Sequence, residues 1–160
     1  MSEITITRQE LLQFWSGLPT VAALKGFKLG YAVARTKAKI RPEVEALEES
    51  VRPAKDFERY EVKRLALCLK HAKKNDQGTP VIAGDQYIFG DNQEAFETEI
   101  APLSEEYAGA IEDRRRQLED YQAGLKETIT VAVHQVLPED VPEEVNGAQM
   151  GVLYYLIKET

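Results

Sequence analysis

Six cations, Lys25, Lys28, Arg35, Lys37, Lys39 and Arg41, stand between residues 25 and 41 with no acid among them. On a single helix Lys28, Arg35 and Lys39 fall close together in projection, because four- and seven-residue separations return to one face. Lys25 and Arg41 extend that patch. Spread over about 24 Å at 1.5 Å per residue, the array can follow a phosphate backbone, with binding that weakens steeply as salt rises. No helix-turn-helix spacing, zinc finger or interleaved aromatic platform accompanies it. Phe27 and Tyr31, at i and i+4, read as helix packing. Two interpretations follow: contact with nucleic acid or another anionic partner, and a solvated or subunit-paired basic face.

Other chemistry is sparse. His71 and His134 are the two histidines, and neither has the ligand-spaced His, Cys or carboxylate partners that a zinc site requires. Cys68 and His71, at i and i+3, share a helix face, so a Cys–His nucleophile is geometrically conceivable. Cys68 among Leu65, Leu67 and Leu69 reads more naturally as a small buried hydrophobe. Gly26-Phe27-Lys28-Leu29-Gly30 is neither a dinucleotide fingerprint nor a phosphate loop. Asp85, Asp91 and Glu94 lack calcium-loop spacing and suit a solvated turn and a helix cap. The expectation is no catalytic residue, no metal, no cofactor and no enzymatic activity.

The 160 residues, 43% hydrophobic and 29% charged, predict one globular domain. No run of eighteen apolar residues predicts a membrane span, and Met1-Ser2-Glu3-Ile4 does not resemble a secretory signal. With one cysteine, an intrachain disulfide is impossible, and a cytoplasmic location is expected. The net charge of -7 conceals a division: residues 20–75 carry +7 and residues 76–160 carry -13. Such halves can pair within one fold or between subunits. Alternatively, the basic half faces an anionic partner while the acidic half supplies solubility.

The elements that must hold these groups follow from periodicity. Ile4 and Ile6 alternate with Thr5 and Thr7 as in a strand, and Thr7 with Glu10 has capping-box spacing. A short helix is expected to about Ser16, stopping near Gly17 and Pro19, with Thr20 capping a long helix through Val51. Pro42 predicts a kink or restart in that helix. A further helix is expected over 54–74, directing Phe57, Tyr60, Leu65, Cys68, Leu69 and Ala72 to the core. A small β-hairpin follows over 79–90, and then a helix that Asp91 can cap. This last helix carries Phe96, Ile100, Leu103, Tyr107, Ile111, Arg114, Leu118, Tyr121 and Leu125 as a coiled-coil-like seam, with a break near Ala101 and Pro102. Arg114 needs a partner there, since unpaired burial of its charge is costly. Residues 128–136 form the best strand, predicted to pair with Ile4–Ile6. A terminal helix is expected over 147–157.

The predicted fold class is therefore α+β and predominantly helical. It combines long antiparallel helices, a small β-hairpin and paired N- and C-terminal strands, with a helical hairpin over about 54–125. Gly26, Gly30, Ala34 and Ala38 line one face of the long helix, where small residues permit either a close intramolecular crossing or self-association. Four heptads of seam exceed what a compact monomer of this size covers, so a homo-oligomer is expected, a dimer first.

Lys28-Leu29-Gly30-Tyr31-Ala32-Val33-Ala34-Arg35, Ile40-Arg41-Pro42-Glu43-Val44-Glu45-Ala46-Leu47-Glu48, Asp76-Gln77-Gly78-Thr79-Pro80-Val81, Gln86-Tyr87-Ile88-Phe89 and Val131-Ala132-Val133-His134 follow one another in an order that resembles a set of small bacteriophage proteins of unknown function. Residues 101–125 look longer and richer in arginine than that pattern. The resemblance implies a virus-encoded protein of the host cytoplasm acting on a phage or host component, with no catalytic residues to carry over. The expected function is a non-enzymatic accessory or scaffold-like protein that self-associates and binds a protein partner. The alternative is a nucleic-acid-binding accessory protein using the basic 25–41 helix.

Overall fold

The computed structural model describes residues 1–158. The fold is mainly helical, with two small antiparallel sheets. Strand β1 (Ser2–Thr7) and helices α1 (Arg8–Ala22), α2 (Phe27–Ser50) and α3 (Lys55–His71) come first. The hairpin strands β2 (Ile82–Ala83) and β3 (Gln86–Tyr87) precede α4 (Gln93–Glu106) and α5 (Ala108–Leu125). Strand β4 (Thr128–Val133) and helix α6 (Gly147–Leu153) complete the order. Two compact units emerge: Met1–Val51 with residues from Glu119 onward, and Arg52–Leu118. No helix among the described residues is long and apolar enough to cross a membrane.

In the first unit β1 pairs with β4 in antiparallel register, Ile4 opposite Val131 and Ile6 opposite Ile129. Alternation sends Ile6, Val131 and Val133 into the core while Thr5 and Thr130 stay outside. There Thr5 Oγ1 and Thr130 Oγ1 share a hydrogen bond of 2.9 Å. Leu11, Phe14, Leu18 and Val21 form the buried stripe of α1. They join Leu29, Val33, Ile40 and Val44 of α2, together with Val152, Leu153 and Leu156, in one core. Thr7 caps α1 through the expected box with Glu10. The helix does not stop at Gly17 or Pro19. Burying Leu18 and Val21 at helical spacing is worth about 1.5–3 kcal/mol each, which offsets the roughly 3 kcal/mol cost of an internal proline.

The long helical run does divide, between α1 and α2. Gly26 has φ of 129°, a backbone conformation that side chains other than glycine's rarely accept. The break therefore falls at one of the small residues, and Thr20 lies inside α1 rather than capping the next helix. Helix α2 continues through Pro42 without restarting.

In the second unit α3 and α4 pack antiparallel. Tyr60 meets Tyr107 at 5.9 Å between ring centroids and His71 meets Phe96 at 6.3 Å. Lys70 Nζ donates to the two oxygens of Glu99 at 2.7 and 3.0 Å. The hairpin turns at Gly84, with φ of 64°. Asn92, not Asp91, occupies the N-cap of α4, without a side-chain cap bond. Pro102 sits within α4, and the interruption comes at Tyr107 instead. Even there the ladder persists: Tyr107 N–H donates to the Leu103 carbonyl and Ile111 N–H to that of Tyr107. The terminal helix is shorter than expected and ends at Leu153. Ile157 then bridges to Val136 in parallel.

Candidate functional site

The exposed side of α2 carries the basic run. Lys28, Arg35 and Lys39 share one flank and are exposed, Arg41 lies on the other flank, and Lys25 precedes the helix. Lys37 is diverted: it is half-buried, with Nζ 5.1 Å from the centroid of the Trp15 ring. Lys28 Nζ donates to Asp140 Oδ1 at 2.7 Å, and that hydrogen bond, with the carboxylate's charge, raises the Lys28 pKa above its ordinary value. Phe27 and Tyr31 pack on each other as i and i+4 neighbours, outside the core. Phe27 is 86% exposed and Tyr31 48%, and their rings stack at 6.1 Å with 22° between planes. The His134 ring meets Tyr31 edge-on at 5.4 Å. With Lys28, Gln135 and Asp140, these rings line a concavity of about 190 Å³. Exposed aromatic rings thus adjoin the cations of α2.

The small-residue face does not pack. Ala34 and Ala38 are exposed, and a Cβ built on Gly30 would meet nothing within 4 Å. Among the described residues of its own unit nothing closes over it, because the buried stripe of α2 lies on the opposite side.

In the Arg52–Leu118 unit the seam is only partly covered. Leu103, Tyr107, Ile111 and Arg114 are half-buried, and Leu118 is exposed. Tyr121, beyond this unit on α5, is also half-buried. The Arg114 guanidinium stands 5.7 Å from the Phe57 ring centroid and donates to Gln117 Oε1 at 2.8 Å. Its positive charge therefore meets an aromatic face. Arg115 and Arg116 converge on Glu112, which holds that carboxyl at a pKa of about 2, chiefly through the Arg115 hydrogen bond.

Helix α3 differs most from expectation. Tyr60, Cys68 and His71 are buried on its α4 side, as expected for Tyr60 and Cys68. Leu65 and Leu69, expected in the core, are each 43% exposed, beside Val62 at 71%. Val62, Leu65, Ala66 and Leu69 recur at intervals of three and four, so α3 has a second apolar stripe opposite the first. The signal was available: Leu65, Leu67, Cys68 and Leu69 are more apolar positions than one helix face can hold.

The Cys68–His71 pair does not form a nucleophile site. Cys68 is 3% exposed, and the group beside its sulfur is the Arg64 guanidinium, with Nη1 at 3.8 Å. His71 Nε2 lies 3.3 Å from Glu99 Oε2, within ion-pair reach but without hydrogen-bond alignment. Glu99 has its pKa lowered, first by Lys70 and then by His71. Among the described residues no three His, Cys, Asp or Glu side chains are grouped to hold a metal ion. No protein-family model, curated protein or solved structure matches the chain, so the functional argument rests on this geometry.

Proposed function

We propose that the chain is a non-enzymatic, scaffold-like protein that pairs with a second copy of itself and presents charged surface to a protein partner. The observation that carries this reading is the second apolar stripe of α3. Among the described residues of the Arg52–Leu118 unit, Tyr60, Cys68 and Ala72 are the buried apolar side chains. A unit of that size is marginal without additional burial. A second copy suits the stripe because the same apolar face on both chains is self-complementary about a two-fold axis. The stripe runs from Val62 to Leu69, wholly within α3. Two such helices packed antiparallel about a two-fold axis bring each Val62 toward the other copy's Leu69.

Sedimentation or light scattering across protein concentration tests this. A dimer is expected, converted to a folded monomer by Val62→Gln with Leu69→Gln. A wild-type monomer, or a dimer indifferent to the stripe variants, would overturn the reading. The ordered resemblance to small phage proteins supports an accessory role in the cytoplasm of an infected host, where the partner would be a phage or host protein.

A further inference from the structure

We infer that the exposed face of α2, with its Phe27–Tyr31–His134 cluster, binds single-stranded nucleic acid by stacking bases on the rings and placing phosphates along Arg35 and Lys39. This goes beyond self-pairing and rests on different residues. Exposed aromatic rings beside lysine and arginine are the combination that single-strand binders use: each ring face accepts an unstacked base of any identity, and the cations follow the backbone. Phe27 opens α2 and Tyr31 follows one turn on; Phe27 is largely open to solvent and Tyr31 about half so. From Tyr31, Arg35 is one turn further along the helix and Lys39 a second turn, and both are exposed. The alanines between them, Ala34 and Ala38, leave that path unobstructed.

Asp140 sharpens the assignment. It already occupies Lys28 at 2.7 Å, so the phosphate contacts fall to Arg35 and Lys39, and to Lys25 before the helix. The Lys28–Asp140 pair instead walls the concavity beneath the rings, where Gln135 offers both a donor and an acceptor to a base edge. A duplex keeps its bases stacked inside and cannot use the rings. An acidic peptide could use the cations but not the stacking surface.

The test is fluorescence anisotropy on the full chain with labelled oligothymidine, oligouridine, a hairpin duplex and polyglutamate. Both single strands should bind at low salt, with the logarithm of affinity falling about 0.7 per phosphate contact for each logarithm of salt, hence a slope of about -2. Phe27→Ala with Tyr31→Ala keeps every charge and should weaken binding about tenfold or more. Arg35→Glu with Lys39→Glu should abolish it. These side chains are exposed, so circular dichroism should be unchanged in both variants. Oligothymidine bound as well as oligouridine would support a backbone- and stacking-based site. Absence of binding at low salt would overturn the inference. So would aromatic variants that bind like the parent, or duplex or polyglutamate binding equal to that of the single strands.

Discussion

The backbone N–H of His134 donates to Thr36 Oγ1 at 2.9 Å, joining the residue just beyond β4 to the middle of α2. Thr36 is fully buried in an otherwise apolar helix face. Its hydroxyl satisfies a donor that the β1–β4 ladder no longer reaches, since the register ends at Val133. The contact also sets His134 beside Tyr31, so one buried hydroxyl positions part of the aromatic cluster.

Replacing Thr36 with Val preserves shape but strands that donor. A loss of about 1–3 kcal/mol is expected, read as a lower urea midpoint at unchanged slope. Thr36→Ser should retain most of the bond. Equal stability of Thr36→Val and the parent would show that the bond contributes nothing.

Gly17 lies in α1 against Val152, and a Cβ there would overlap the Val152 Cγ2 methyl. Alanine is normally the better helix residue by about 1 kcal/mol. Here overpacking should reverse the sign, with Gly17→Ala destabilising by about 1–3 kcal/mol. In a Val152→Ala background the same change should become neutral or stabilising, and a double-mutant cycle measures the coupling.

The Glu112 carboxyl, held by Arg115 and then Arg116, should titrate by NMR near pH 2 rather than near 4.5. Because its folded pKa is depressed, the pairing contributes above the unfolded value, and that contribution is lost as pH falls from about 4.5 toward 2. The group is exposed, so salt should move the midpoint upward. Arg115→Gln should shift it further than Arg116→Gln.

Cys68 should react slowly with a thiol reagent in the native protein and rapidly in urea, because α3 and α4 enclose it. Fast native alkylation would mean that this helix pair opens easily.

Thermal stability should rise with protein concentration, since pairing of folded chains draws the equilibrium away from the unfolded state. The Val62→Gln, Leu69→Gln variant should lose that dependence while keeping its helical signal. A concentration-independent midpoint in the parent protein would count against pairing through α3.

Much of the architecture can be read from local pattern alone. Strict alternation in Ile4–Ile6 and Ile129–Val133 identifies strands that must share a buried face, and Thr7 with Glu10 marks a helix start. The proline effects are not local. Pro19, Pro42 and Pro102 all lie on exposed helix positions, where water can satisfy the carbonyl each one frees. Burial of Leu18 and Val21 around the first, and of Ile40 and Val44 around the second, keeps those helices running.

The sequence by itself determined the helical class, the pairing of the terminal strands and the concentration of positive charge before residue 42. Periodicity and charge are properties of neighbouring residues, and they survive without knowledge of the fold. Only the tertiary structure decided that Phe27 and Tyr31 face water, that Gly30, Ala34 and Ala38 are uncovered, and that α3 buries Tyr60 and Cys68 while exposing Val62, Leu65 and Leu69. A helix with apolar residues on two sides can bury either one. Which side is filled depends on where its partner helix arrives, and no local spacing specifies that.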